Sequence, residues 1–447
     1  MNTPILDFVR AYAKEEKSRL HMPGHKGKSF LGFEQFDITE VEGADVLYAP
    51  SGIILESENN ATGLFRTAHS FYSAEGSSLS IKAMLALVKG KGTTRILAAR
   101  NAHKAFLYGC ALLDMEVEWL YPEETSHLCA CRIQAEELES RMQQLLQEEK
   151  KPDAVYVTSP DYLGNVLDIK GLAKVCRKYS VPLLVDNAHG AYLGFLNPSR
   201  HPIHLGATMC CDSAHKTLPV LTGGGYLHIA KDAPKEYLDN ARRMLSLFAS
   251  TSPSYLVLQS LDRCNRYLAE EYSHKLELTI ANVNGTKVLL QEQGYRLLSG
   301  EPLKIVVDCR AGGFTGTALS AHLRKNGLEA EFADKDYVVM MFTPETTDAD
   351  YERIKSAFKA FTFCGRDYHK APEVSFRAEA KMSIREAMLA PCRRVLAEAA
   401  LGQICAAPAV SCPPAIPIVI SGEVINKEAI ELFRYYEIDE VEVVIEK

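Results

Sequence analysis

Seven short apolar runs between residues 60 and 230, separated by helical patterns, constrain what this chain can fold into more than any other feature. HSFYSA, RILAAR, VEWLY, AVYVTS, PLLVDNA, ATMCCDS and GGYLHI are rich in Val, Ile, Leu and Tyr and are closed by Gly, Asn, Asp or Ser, which is the signature of buried strands. Between them LSIKAMLALVKG, AEELESRMQQLLQEEK and IKGLAKVCRKY place apolar residues at helical spacing. Repeated strand–helix alternation predicts an α/β fold, a mostly parallel seven-stranded sheet with helices on both faces. Ligands of such sheets gather at the carboxyl ends of the strands. The residues that close each strand are therefore the first to examine for chemistry.

Further along, a long helical region runs from about Pro234 to Gly294. A smaller α+β unit follows, with LKIVVDC, TALSAHLRKNG, LEAEFADKDYVVMMFT and DADYERIKSAFKAF. From Lys370 to Lys447 come the helical MSIREAMLAP, the Pro-rich turn region SCPPAIPIVISGEVI and a final EVEVVIEK. At 447 residues the chain exceeds one ordinary core. The patterns divide it into an N-terminal arm and leader (1–60), a large domain (61–280), a small α+β domain (281–370) and a C-terminal domain (371–447).

Composition narrows the partners. A net charge of −7 gives no electrostatic reason to expect nucleic acid or an anionic membrane. No run of roughly eighteen apolar residues exists to make a transmembrane helix. The first twenty residues mix Asp, Glu, Lys and Arg in an amphipathic helical pattern, unlike a signal peptide. The twelve cysteines show no Cys-x-x-Cys spacing, so no metal site is expected. Cys110, Cys309 and Cys405 lie in or beside apolar runs, where cysteine behaves as a small hydrophobe. Free thiols in a reducing cytoplasm are the expectation.

Lys216, in CDSAHKTLPVLTGGGYLH, stands thirty residues after Asp186 in VPLLVDNAHGAYLG. A lysine after one strand and a carboxylate closing another are what a pyridoxal phosphate enzyme needs. The amine forms a Schiff base, and the carboxylate keeps the pyridine nitrogen protonated so that the ring acts as an electron sink. An aspartate ending an apolar strand is costly without a cationic or hydrogen-bonded partner; a helix N-cap is the plainer alternative. Gly76-Ser77-Ser78 follows HSFYSA and opens a helix, where amides, hydroxyls and the dipole favour a phosphate; the alternative is again a cap. His103, after RILAAR, could lie on a cofactor ring or be an ordinary surface or core histidine. His189, three residues past Asp186, could face the cofactor or cap its own turn. Ser213 and His215 precede the lysine and can bind phosphate, and the Gly-rich turn after it lets backbone approach a ligand. The order of these pieces, each after a strand of one sheet, is what sets them apart from chance.

Taken together the strings resemble the ornithine/lysine/arginine decarboxylase family, pyridoxal phosphate enzymes of the aspartate aminotransferase fold. The short bacterial members without an N-terminal wing domain are the most similar. HMPGHKG, DITEVEGADVLYAPSGII, RNAHK, DNAHGAYL, SAHKTLP, STSPSYLVLQSLD and PPAIPIVISGEVI carry the resemblance across nearly the whole chain. It implies that Lys216 is the Schiff-base lysine, Asp186 the partner of the pyridine nitrogen and His103 the residue stacked on the ring. Ser77, Ser78, Ser213 and His215 become phosphate ligands, and His189 an active-site histidine. Residues 61–280 become the cofactor-binding domain and 371–447 a decarboxylase-type C-terminal domain. Glu423 matches a C-terminal Pro-Gly-Glu motif. Where the family reads Asp-Glu-Ala-His-Gly-x-His, this chain has Asn187 and Tyr192; where it reads Asp-Asp-Leu-His, the chain has Asp45, Val46, Leu47 and Tyr48; Ser421 replaces a usual proline.

The activity so implied is decarboxylation of arginine, lysine or ornithine in polyamine metabolism or acid response, by a homodimer or higher homo-oligomer. Another reaction on the same fold, an aminotransferase, aldolase or lyase, is the alternative, because fold shares cofactor more reliably than reaction. A non-catalytic, partner-binding role is a third reading, opposed by the intact lysine, aspartate and phosphate cradle.

Overall fold

The computed structural model describes residues 1–122, 127–362, 372, 377–408 and 415–445. The expected boundary at 370/371 and the start of the Pro-rich region at 411–414 lie outside the described residues. Strands β1 (His69–Ser73), β2 (Thr94–Ala99), β3 (Met115–Leu120), β4 (Ala154–Thr158), β5 (Leu183–Asp186), β6 (Met209–Asp212) and β7 (Gly225–Ile229) fall on the seven apolar runs. Helices α1 (Pro4–Lys14), α2 (Ile53–Phe65), α3 (Gly76–Val88), α4 (Lys104–Leu113), α5 (Ala135–Gln147), α6 (Ile169–Lys178) and the single turn α7 (Ala214–Thr217) precede or separate them. The seven strands form one mostly parallel sheet in the order β1-β7-β6-β5-β4-β2-β3. β7 runs antiparallel to both its neighbours, because a turn of a few residues after α7 returns the chain directly instead of crossing over.

Contacts group the chain into two compact units. The first comprises Met1–Lys89, Ala154–Tyr156 and Ile169–His274; the second comprises Gly90–Asp153, Val157–Asp168 and Lys275–Lys447.

In the first unit the expected long helical region is broken into α8 (Lys235–Phe248) and α9 (Tyr255–Tyr267), followed by a π-helical stretch at Leu268–Tyr272; α10 (Ser273–Glu292) comes next and belongs to the second unit from Lys275 on. The break falls where Ser250 to Ser254 supply turn residues and a cap, Ser254 accepting from Val257 N at 3.4 Å. At the N-terminus Pro4 occupies the first turn of α1, and Ile5 and Val9, four apart, are buried. Thr3 makes no side-chain cap there. Asp262 of α9 serves instead, accepting from Leu6 N at 2.9 Å and from Ser57 Oγ of α2 at 2.5 Å.

In the second unit β8 (Lys304–Asp308), α11 (Gly316–Lys325), β9 (Phe332–Ala333), β10 (Tyr337–Met341) and α12 (Asp348–Ala360) build a three-stranded sheet in the order β8-β10-β9. Its core gathers Ile305, Val307, Leu319, Leu323, Val338 and Phe358. Next come α13 (Ile384–Leu389), β11 (Cys392–Leu396), α14 (Lys427–Tyr435) and β12 (Glu440–Val444), with β11 and β12 antiparallel. β11, α14, α2 and α4 were not among the expected elements. β11 reads CRRVL and is mostly exposed, so no apolar alternation announces it; pairing with β12 creates it.

Burial raises the Asp262 carboxyl to about 6, against hydrogen bonds from Leu6 and Ser57 that lower it. A carboxyl raised in the folded state stabilises the fold fully below its unfolded value, near about 4, and that contribution is lost as pH rises through about 6. Docking of α1 should therefore loosen with rising pH. Hydrogen exchange at the α1 amides, corrected for intrinsic rate, is expected to quicken between about pH 4 and 6, and Asp262→Asn should abolish that dependence.

Candidate active site

The carboxyl ends of β5 and β6 in the first unit support two turns that hold most of the expected site residues. β5 pairs in parallel with β6, Asp186 in register with Cys211. Side chains alternate across a strand, so Asp186 and Cys211 share one face while Asn187 and Asp212 share the other. The Asp186 carboxylate is buried and hydrogen-bonded as burial requires. Tyr156 donates its hydroxyl to Oδ2 at 3.1 Å, Ala188 N donates to Oδ1 at 3.1 Å, and Cys211 Sγ lies 3.6 Å from Oδ1. The Ala188 bond makes an Asx turn, and Gly190 N closes it onto Asn187 O at 2.7 Å. His189 rides on this turn. Its Nε2 lies 2.8 Å from Nζ of Lys216, on the turn after β6.

The second turn is built by its own backbone. Lys216 N donates to Ser213 O at 3.0 Å and His215 N to Gly224 O at 3.2 Å, while His215 Nδ1 stands 3.0 Å from the same carbonyl. Ser213 Oγ donates to Ser77 Oγ at 2.8 Å, joining this turn to the start of α3. Gly76 opens α3 with φ +66°, a left-handed conformation that side chains strain to adopt, and its N–H donates to Gly223 O at 2.6 Å. Gly225 has no room for a side chain either: a Cβ there would lie 2.7 Å from Asp212 O and 3.2 Å from Gly76 C. Backbone thus packs on backbone beneath the first turn of α3.

These residues fit pyridoxal phosphate. The α3 N-terminus, with Ser77 and Ser78 on its first turn and Ser213 beside it, offers amides and hydroxyls to a phosphate. Gly76 adds no side chain beside His215, whose Cε1 lies 3.7 Å from where a Cβ would stand. Asp186 is a buried acceptor suited to a pyridinium N–H, and the Lys216 amine is suited to a Schiff base.

Of the expected residues, Ser77, Ser78, Asp186, His189, Ser213, His215 and Lys216 belong to the first unit. His103 belongs to the second, where it caps α4, its Nδ1 accepting from Ala105 N at 3.1 Å. Glu423 is also in the second unit, buried, accepting from Ile420 N at 2.7 Å and lying 3.7 Å from Arg100; burial pushes its carboxyl up despite that guanidinium. In the leader, Asp45 caps α2, accepting from Gly52 N at 2.8 Å and Ile54 N at 3.0 Å. Sequence reasoning did not pick out Tyr156, which lies inside an apolar strand with nothing to mark its hydroxyl. It also passed over Asp212, whose carboxylate accepts from Asn187 Nδ2 at 2.6 Å and stands 3.1 Å from the Nε2 atoms of both His201 and His228.

Sheet, lysine, strand-end carboxylate and phosphate cradle together define a pyridoxal phosphate-dependent enzyme of the α/β class. Residues 3–299 match the family described as Orn/Lys/Arg decarboxylase, major domain, and the chain belongs to that family. It is similar to the arginine decarboxylase of Bacillus subtilis (strain 168), at 29% identity over 96% of this chain and 92% of the other. It is also similar to that of Bacillus anthracis, at 26% identity over 97% of this chain and 92% of the other. In fold it resembles the lysine decarboxylase LdcF of Francisella novicida, with a TM-score of 0.82 at 16% identity over 99% of this chain and 81% of the other.

Gly225→Ala should push the Asp212 strand end and the Gly76 turn apart. We expect pyridoxal phosphate to bind at least about tenfold more weakly, with a lowered melting temperature, by absorbance titration and calorimetry.

Proposed function

We propose that this protein removes the α-carboxyl group of arginine as carbon dioxide. Decarboxylation of a basic amino acid with pyridoxal phosphate is the chemistry of the family. Arginine is the choice supported by the relatives so named in Bacillus subtilis and Bacillus anthracis. The observation that carries the assignment of roles is the 2.8 Å approach of Lys216 Nζ to His189 Nε2, on a turn rooted in the buried Asp186.

Bound at this site, the cofactor supplies a conjugated cationic ring that accepts the electrons released when the Cα–carboxylate bond breaks. Lys216 is the amine that tethers it. Asp186 holds a proton on the ring nitrogen, and its hydrogen bonds from Tyr156 and Ala188 fix the carboxylate in the orientation that does so. The α3 amides, Ser77, Ser78, Ser213 and His215 anchor the phosphate. Exclusion of water favours loss of the carboxylate charge as neutral carbon dioxide. Lys216 Nζ and His189 Nε2 then share a proton that either can deliver to Cα. His103 keeps the role that the resemblance implies, an imidazole for the ring face.

The working form we propose is a cytoplasmic homodimer active in polyamine metabolism. Leu20, Met22, Phe30 and Leu31 of the N-terminal arm are 93, 66, 79 and 76% exposed, an apolar surface of the kind that a second copy would cover. The ten described cysteines are all free, as in a reducing compartment. No helix among the described residues is long and apolar enough to cross a membrane.

The test is carbon dioxide release from arginine, lysine and ornithine offered separately. Arginine should be preferred by at least about tenfold in kcat/KM. No release from any of them, in protein that still shows the absorbance band of the lysine-bound cofactor, would sink the reading, and a keto acid product would point to transamination. Lys216→Ala should abolish that band and lower turnover by about a thousandfold or more while the fold survives. Leu20→Glu combined with Phe30→Glu should convert a dimer into a monomer by light scattering; a dimer unchanged by both substitutions rules out this face.

A further inference from the structure

The face of the sheet turned away from Asp186 carries an unusual buried polar layer. Register places Cys210 opposite His228 and Asp212 opposite Tyr226, and Asn187 shares that face. Asp212 is wholly buried, with the Asn187 amide at 2.6 Å on Oδ1 and the Nε2 atoms of His201 and His228 each 3.1 Å from Oδ2. Ser70 Oγ lies 2.8 Å from His228 Nδ1, which holds that ring in turn. Burial works to raise the Asp212 carboxyl, but the two imidazoles outweigh it and keep it well below the usual carboxylate range.

Position gives this network its meaning. Asn187 is the first residue after Asp186 and the root of the turn that carries His189. Asp212 is the last residue of β6 and the root of the turn that carries Ser213, His215 and Lys216. Their hydrogen bond therefore ties together the two turns that hold the proposed chemical groups, from the face of the sheet opposite Asp186. The Asn187 amide is itself held tightly, since a Cβ on Gly190 would come within 2.0 Å of its Oδ1.

We propose that Asn187 and Asp212 are a positioning pair, setting the Asp186–His189 turn against the Lys216 turn so that the cofactor can be held. The proposal rests on pyridoxal phosphate binding at this site.

The pair can be taken apart by charge. Asn187→Asp puts two carboxylates at hydrogen-bond distance, where both stay ionised only at a cost and one proton is retained between them. The groups facing them are His201, His228, the Cys210 thiol, the Tyr226 phenol and, across the strand, Asp186. As pH rises and the shared proton leaves, repulsion should splay the two turns. The double swap Asn187→Asp with Asp212→Asn keeps every hydrogen bond: the new amide donates to Asp at 187 and its oxygen accepts from both imidazoles. It moves the charge without removing the tie.

The experiment is a titration of pyridoxal phosphate into each apoprotein, read by absorbance from about pH 6 to 8.5, with melting temperature measured alongside. N187D should bind within about threefold of wild type at about pH 6 and at least about tenfold more weakly at about pH 8.5, while the swap stays within about threefold at both. Should N187D not fold, Asn187→Ala, which removes the tie without adding charge, should weaken binding at all pH values alike. Wild-type affinity in N187D across the range, a lowered melting temperature with unchanged affinity, or a folded swap that fails to recover binding would each overturn the pair. Wild-type protein that binds no pyridoxal phosphate would instead overturn the functional reading beneath it.

Discussion

A carboxylate buried at the end of a parallel strand is the constraint on which the candidate site depends. Asp186 stays in the interior only because Tyr156, Ala188 and the adjoining strand supply hydrogen bonds, and those partners fix where it points. The same Asx turn that satisfies it brings His189 back toward Lys216. One electrostatic requirement thus orients the Asp186 carboxylate and the approach of His189 to Lys216 together. A buried charge in this position would be destabilising unless matched, and a cationic ring is the match that the proposed function supplies.

Close backbone packing is the second constraint. The Thr-Gly-Gly-Gly run after the lysine lets β7 and its leading turn lie against the start of α3, where Gly225 leaves no space for a side chain and Gly76 takes a left-handed conformation. That approach sets the phosphate cradle directly below the lysine turn. Behind the sheet a different chemistry prevails: Asp212, Asn187 and two histidines replace the aliphatic layer usual there. A hydrogen-bonded layer of this kind is directional where an aliphatic one is not, which suits it to holding two turns in register.

Much of this was legible without coordinates. The seven strands of the main sheet fall on the seven apolar runs, because period and closing residues are local properties of a buried strand. Lys216, Asp186 and the Gly-Ser-Ser start of α3 stood out because each closes or follows a strand. β11 was missed, since its Arg-rich, exposed sequence has no pattern until β12 pairs with it. Tyr156 was missed because an apolar strand gives no hint of which hydroxyl meets which carboxylate thirty residues away.

The sequence by itself determined the α/β class, the seven strands of the main sheet and the family, since these follow from local periodicity and from short strings of fixed spacing. Only the tertiary structure decided that β7 runs antiparallel, that Lys216 Nζ meets His189 Nε2, that Asp262 of α9 caps α1, and that Asp212 is shared by Asn187 and two histidines. Each of these joins residues that are distant along the chain or on different strands. Such contacts are set by sheet register and by the need to satisfy buried polar atoms, neither of which is a local property.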